Sequence, residues 1–473
     1  MLFHTVEFIM MLIIAVILYY TVPKSRVYVL TIANIIFYGA SGLGFLALFI
    51  FVVTVTYICA LKNNSKRGRL FYYLGLAINV LNLTFFKYTG FVLSNLERFF
   101  NVHFQWQDAL LAKIILPVGI SFYTFQLIAY LVDVYKKKIE PCRSLIEFWV
   151  FIAFFGQLIA GPIMRGIDFL PQIKNVKDIK LLPSNIKTGT YYILMGLTKK
   201  IVFADFLSSR ADYFFSNAQL NSGLDAWYGA YLFAFQIYFD FSAYSEIAIG
   251  VGKLFGLDLT LNFKSPYISN NPSEFWSRWH ITLSTWIRDY IYIPLGGSRK
   301  GFSRQMVNLI VAMCISGLWH GASWHFVIWG LYHGILSVVY KIIGNVTKNH
   351  DYKFVNSKVY RILTVFIYFQ LTTIGWVFFR ANTLTDALIL IKKMFDFSNM
   401  HFTTTYVLYL CIVAVLYFLH VAEYYIRKDG AKLASVWEKY FPAPVRAVLY
   451  TSLIIVLILF TKGEENTFIY FQF

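Results

Sequence analysis

Charge is scarce in these 473 residues. Only 14% are Asp, Glu, Lys or Arg, where a soluble chain carries about 25%. Hydrophobic residues make up 58% and aromatic residues 19%. That balance excludes one soluble globule of this length and makes lipid the solvent for much of the surface. Cysteine is scarce too. Cys59, Cys142, Cys314 and Cys411 lie far apart with no CxxC pair. They provide no disulfide framework and no thiolate metal site. No internal repeat is visible, which argues against a transporter built from inverted halves. The first apolar run, 6–22, has no basic segment ahead of it; Lys24 and Arg26 follow it, the reverse of a secretory signal.

Positive charge is what the chain does carry, with a net +18. It collects in short loops at 24–26, 62–69, 136–143, 174–187, 299–304, 341–361 and 427–446. Such loops between apolar runs follow the positive-inside rule and do not form a nucleic-acid surface. Placing them all in the cytoplasm predicts an all-α polytopic protein of one domain, 1–473. It would have twelve crossings, at 6–22, 27–40, 43–61, 70–86, 114–132, 188–208, 226–250, 305–319, 324–342, 359–379, 404–425 and 445–461. Both termini then lie outside, and 462–473 forms an external tail.

Two apolar segments do not fit as crossings. Residues 148–164 lie between two basic loops and contain Gly156, Gly161 and Pro162. They read as a re-entrant or partly inserted element, tolerated at depth only where protein surrounds it. Residues 274–294, EFWSRWHITLSTWIRDYIYIP, read as one amphipathic helix at the cytoplasmic interface. Trp276, Trp279, Leu283, Trp286 and Tyr290 share one face, with the tryptophans expected at headgroup level. His280 flanks that face, about 90° from its centre.

Ionisable residues inside spans are costly and face the protein interior. Lys199, Lys200, Asp205, Asp240, Glu246 and His333 are of this kind, and internal pairing such as Lys200 with Asp205 is expected. The densest polar and aromatic cluster is SGLWHGASWH, 316–325. His320 follows a short span and so should lie below the outer surface. Gly317 and Gly321 bracket it, leaving room for another chain or a ligand. Three readings of His320 stay open: a satisfied core histidine, a zinc ligand with His325, and a general base. The zinc reading lacks a nearby cysteine or carboxylate and any HExxH pattern. A buried neutral imidazole can accept a proton, as the base reading requires.

Four long stretches resemble the membrane-bound O-acyltransferase family, in the family's order. They are LPVGISFYTFQLIAYLVDVY (116–135), FDFSAYSEIAIGVGKLFG (239–256), LNFKSPYISNNPSEFWSRWHITLSTWIRDYIYIPLGGSRKG (261–301) and SGLWHGASWHFVIWGLYHG (316–334). The resemblance is to the bacterial branch that modifies exported polysaccharides: peptidoglycan, then alginate, and the D-alanylation of teichoic acid. It implies a funnel-shaped helical fold with a thin centre in the inner membrane. It also implies His320 as the essential histidine and His280 as the second family histidine.

The same resemblance implies acetyl-CoA as a cytoplasmic donor substrate rather than a tightly bound cofactor, and no metal. A periplasmic partner with a serine esterase-like (SGNH) domain would take the acetyl group to the glycan. Arg278, Arg299 and Lys300, on the cytoplasmic side, would meet the CoA phosphates or serve as ordinary positive-inside charges. The C-terminal FIYFQF resembles the tail of the small peptide that partners the D-alanine exporter. Tyr470 is therefore expected to carry the acyl group, or else to anchor the tail at the interface.

Overall fold

Each backbone N–H and C=O placed in lipid needs a partner within the chain, and a helix supplies it inside a single segment. The described residues of the computed structural model are mostly helical, and no strand occurs among them. These are 1–104, 106–219, 222–347, 357–398, 403–460 and 468–469, the side chain of Asn64 excepted. They fall into two compact units, each discontinuous in sequence. One comprises Met1–Gly196 with Tyr244–Leu261, the other Leu197–Ala243 with Asn262–Ile469.

The first unit begins with α1 (Val6–Thr21) and α2 (Arg26–Gly39). The helical stretches Val6–Thr21 and Pro23–Gly39 meet at 116°. Pro23 has no N–H to continue the ladder, so the expected pair of crossings is a bent pair. α3 (Leu43–Leu61) follows. α4 (Gly68–Leu83) and α5 (Thr89–Phe100) join through a π-helical turn, Thr84–Tyr88. The joined run, Gly68–Phe100, has 33 residues. It spans about 50 Å at 1.5 Å per residue and outruns the expected 70–86 segment. α6 (Gln107–Leu111) and α7 (Ile120–Tyr135) come next.

Residues 148–164 form an irregular element walled by protein, as expected. α8 (Leu145–Ala153), capped by Ser144, ends at Phe154, and α9 (Gly166–Lys174) starts after a buried loop. Non-helical backbone at such depth must find internal partners. The Phe155 N–H donates to Asn34 Oδ1 at 2.9 Å, and Gln157 Nε2 donates to the Phe151 carbonyl at 2.8 Å. α10 (Pro183–Thr198) closes this part of the chain.

The second unit opens with a π-helical segment, Lys199–Ala204, which interrupts the span expected at 188–208, and continues into α11 (Asp205–Ser216). α12 (Gly223–Leu254) gives residues 223–243 to this unit and 244–254 to the first. Then come α13 (Pro272–Trp276), α14 (Ile281–Ile287), α15 (Phe302–His320), α16 (Trp324–Val346), α17 (Lys358–Arg380), α18 (Leu384–Met394), α19 (Thr404–Lys428), α20 (Gly430–Tyr440) and α21 (Ala443–Phe460).

Among the described residues, six helical stretches are long and apolar enough to cross a membrane: α3, the α4–α5 run, α16, α17, α19 and α21. Of the remaining expected crossings, 6–22 and 27–40 form the bent pair, 114–132 falls on the 16-residue α7 and 188–208 is interrupted, whereas 226–250 and 305–319 lie on the continuous α12 (32 residues) and α15 (19 residues). In this unit the expected internal pairing is present. Lys200 Nζ lies 2.9 Å from Asp205 and 2.8 Å from Asp240. Lys199 Nζ lies 2.7 Å from Glu423, which also accepts from Tyr238 and Arg427.

Candidate active site

The segment 274–294 is not one helix. α13 ends at Trp276, and His280 stands at φ 40°, ψ 55°, in the left-handed region, as the residue before α14. A non-glycine residue is strained there, by roughly 1–3 kcal/mol, and needs its surroundings to hold it. The non-helical residues 262–264 do so. The Lys264 N–H donates to the Arg278 carbonyl at 2.9 Å and the Ile281 N–H to the Asn262 carbonyl at 3.0 Å. Asn262 Oδ1 accepts both the Thr282 N–H (3.1 Å) and the Thr282 hydroxyl (2.7 Å), capping α14. These long-range bonds outcompete a continuous helix, and a helical wheel cannot register them. The break also turns Trp279 and Trp286 into the protein, where both are buried, instead of leaving them at headgroup level.

His320 is the last residue of α15, and its position is set by how closely α15 approaches α16. A Cβ on Gly317 would lie 2.2 Å from the Phe326 carbonyl oxygen, and one on Gly330 2.3 Å from the Met313 carbonyl oxygen. A Cβ on Gly321 would lie 2.0 Å from the Phe326 ring. The space beside Gly317 and Gly321 is thus filled by the chain's own α16 rather than by another chain or a ligand.

The two histidines are brought together. Their ring centroids are 6.4 Å apart. That is wider than two imidazoles sharing a hydrogen bond, so neither is the direct proton partner of the other in this state. Both rings are buried among aromatics. Phe241 meets His280 edge-on at 4.6 Å, and Trp319 lies 5.7 Å from it. Trp319, Trp329 and Phe379 surround His320 at 5.0, 5.1 and 5.2 Å. Burial pushes the His280 imidazole down to about 3, so it is neutral at physiological pH. The wall continues through Trp329 to His333, which stacks on Phe275 at 6.0 Å. An apolar, aromatic-walled pair of imidazoles suits proton transfer with water excluded.

His325 is engaged elsewhere, its Nδ1 3.1 Å from the Phe378 carbonyl. No group of three or more His, Cys, Asp or Glu able to hold a metal occurs among the described residues. Arg278 is committed to Glu274 (2.9 Å) and to the Lys264 carbonyl (2.9 Å). Arg299 and Lys300 are exposed in the turn before α15. Tyr470 lies outside the described residues. Trp329 follows the polar and aromatic cluster read from the sequence at 316–325. Sequence reasoning missed Asn262, Phe241 and Phe379. The first two lie inside the resembling stretches, but nothing marked them, and Phe379 carried no signal at all.

Residues 142–379 match the family described as MBOAT, membrane-bound O-acyltransferase family. The chain is 38% identical over 393 residues to the peptidoglycan O-acetyltransferase of Helicobacter pylori, covering 77% of this chain and 73% of that protein. It is 37% identical over 386 residues to the probable alginate O-acetylase AlgI of Pseudomonas putida, covering 80% and 77%. A teichoic acid D-alanyltransferase of Streptococcus thermophilus is 30% identical over 233 residues, 47% of this chain and 56% of that one. His280, His320 and the aromatic walls around them all lie within the matched region, and the chain belongs to the membrane-bound O-acyltransferase family, as a multi-pass membrane O-acetyltransferase.

Proposed function

We propose that the protein takes acetyl groups from cytoplasmic acetyl-CoA and passes them through the inner membrane for O-acetylation of an exported polysaccharide, with peptidoglycan as the acceptor. The observation that carries this reading is the buried His280–His320 pair in a chain of this family. The near-equal identity to the alginate relative supports a second reading, in which alginate or another exported glycan is the final acceptor. A chain rich in Lys, Asn, Ile, Phe and Tyr suits an AT-rich genome, whereas alginate producers of this type are GC-rich. That composition favours peptidoglycan.

In the proposed chemistry His320 is the general base. It removes the phenol proton of Tyr470 as the phenolate oxygen attacks the thioester carbonyl carbon. The C–S bond breaks, and the CoA thiolate takes the proton back from the imidazole. A phenol with a pKa of about 10 is far easier to deprotonate than a sugar hydroxyl. The resulting aryl ester keeps a good leaving group for transfer to the serine of a periplasmic SGNH partner. The burial of Phe468 and Ile469, just before Tyr470, supports a tail that folds back into the protein. Arg299 and Lys300 are the proposed contacts for CoA phosphates. Arg278 adds positive charge, its donors being engaged within the chain. Both termini are placed in the periplasm.

The test is incubation of the purified protein with radiolabelled acetyl-CoA, followed by peptide mapping, with His320→Ala alongside. Label at Tyr470 that disappears in the histidine variant is the expected result. Label that persists in His320→Ala would refute the role of the base. A Tyr470→Phe variant that folds and supports full glycan acetylation would refute the carrier.

A further inference from the structure

Phe468 and Ile469, near the C-terminus, meet a buried ion pair. Lys200 and Asp240 are both buried. One oxygen of Asp240 accepts from Lys200 Nζ at 2.8 Å. The other accepts the main-chain N–H of Ile469 at 2.7 Å. The same ammonium lies 4.5 Å from the ring centroid of Phe468 and 2.9 Å from Asp205. One cation thus faces two carboxylates. A buried carboxylate needs more than one donor, and for Asp240 the Ile469 N–H is the second beside the Lys200 ammonium.

The cluster sits where it can matter to the reaction. Asp240 is the residue before Phe241 on α12, and the Phe241 ring packs 4.6 Å from that of His280. Lys200 belongs to the π-helical segment, a geometry common at functional sites. The lysine before it, Lys199, turns to Glu423 on α19 instead. The wide turn thereby sends two consecutive lysines to different helices.

We infer that Lys200 and Asp240 form a docking clamp for the C-terminal segment. It reads the main chain at residue 469 and the aromatic ring at residue 468, and so sets the register in which the segment is presented. The consequence for transfer rests on Tyr470 as the acyl carrier. The clamp itself rests only on the contacts above. Because the carboxylate reads an N–H and not a side chain, it accepts any residue at 469 except proline, provided the side chain is apolar enough for burial.

Hydrogen–deuterium exchange of the C-terminal peptide, measured on the purified full-length protein, tests the clamp. Ile469→Pro removes the donated N–H while leaving the Lys200 and Asp240 side chains themselves in place, whereas Ile469→Leu keeps the N–H. Exchange across the segment is expected to rise about tenfold or more in Ile469→Pro and in Asp240→Ala, the size of one lost hydrogen bond to a charged group. It should stay within about twofold of the natural chain in Ile469→Leu. Equal protection in Ile469→Pro and Ile469→Leu would overturn the clamp, and this comparison holds even if Asp240→Ala fails to fold. Tyr470→Phe should keep the protected segment. Transfer by that variant judges the carrier alone, so the two readings fail separately.

Discussion

A methyl group added at Gly330 should cost both stability and activity, while the same change fourteen residues along the same helix should not. At Gly330 the new Cβ would sit 2.3 Å from the Met313 carbonyl oxygen, 2.9 Å from its carbon and 3.0 Å from the Cys314 Cα. All three are backbone atoms, so no side-chain rotation relieves the contact. Restoring ordinary contact requires α15 to retreat by about 1 Å, and overpacking of this kind costs about 1–3 kcal/mol.

His320 ends α15, and its ring lies 5.1 Å from that of Trp329, the neighbour of Gly330. A displacement of about 1 Å at a reacting group lowers the rate by about 100-fold. Gly344, also on α16, has nothing within 4 Å of its Cβ position. Alanine there should be neutral or stabilising by up to about 1 kcal/mol through helix propensity. Purified Gly330→Ala and Gly344→Ala would be compared by thermal inactivation and by acetyl transfer from labelled acetyl-CoA. If Gly330→Ala matches Gly344→Ala in both, the close crossing of α15 and α16 does not position His320, and the argument fails.

Three further perturbations follow from particular contacts. Glu423→Ala leaves Lys199 without its carboxylate 2.7 Å away and should destabilise the protein by about 3–5 kcal/mol, read as earlier thermal inactivation; Glu423→Gln, which keeps the shape, should cost less. Asn262→Ala removes the acceptor for the Thr282 N–H and hydroxyl. It should cost about 1–2 kcal/mol and lower kcat more than it raises KM, with recovery in Asn262→Asp. The His280 value near 3 lies below the value of about 6.5 in an unfolded chain. Between these values the unfolded chain binds a proton that the folded one refuses. Stability contributed by this site is therefore flat above about pH 6.5 and falls by up to about 1.4 kcal/mol per unit as pH drops below it. His280→Gln should flatten that acid slope in a pH series of thermal inactivation, and an unchanged slope would contradict the buried neutral imidazole.

Much of this was legible before any coordinates. The low charge and recurring apolar runs require a helical membrane protein, because lipid offers backbone groups no partners. Deep lysines and carboxylates require each other, as Lys200 and Asp205 show. The irregular, protein-walled stretch at 148–164 could be read from its glycines and proline. The joining of His280 and His320 was legible only through resemblance, since forty residues separate them and nothing in their spacing says that they meet.

Where local pattern misled, a long-range contact had overridden it. The period of tryptophans in 274–294 suits a helix, yet Asn262 and Lys264 draw the chain out of it at 278–282. Gly317 and Gly321 announce a close approach but not by what. The Lys200 ammonium could be matched to Asp205 from the sequence, five residues on, but not to Asp240 or Phe468. Composition, hydrophobic period and charge placement are sums over neighbouring residues, so the sequence by itself determined helices, membrane and internal pairing. Which buried carboxylate meets which N–H, and which ring lies against which imidazole, depends on helices packing across hundreds of residues, and only the tertiary structure decided that.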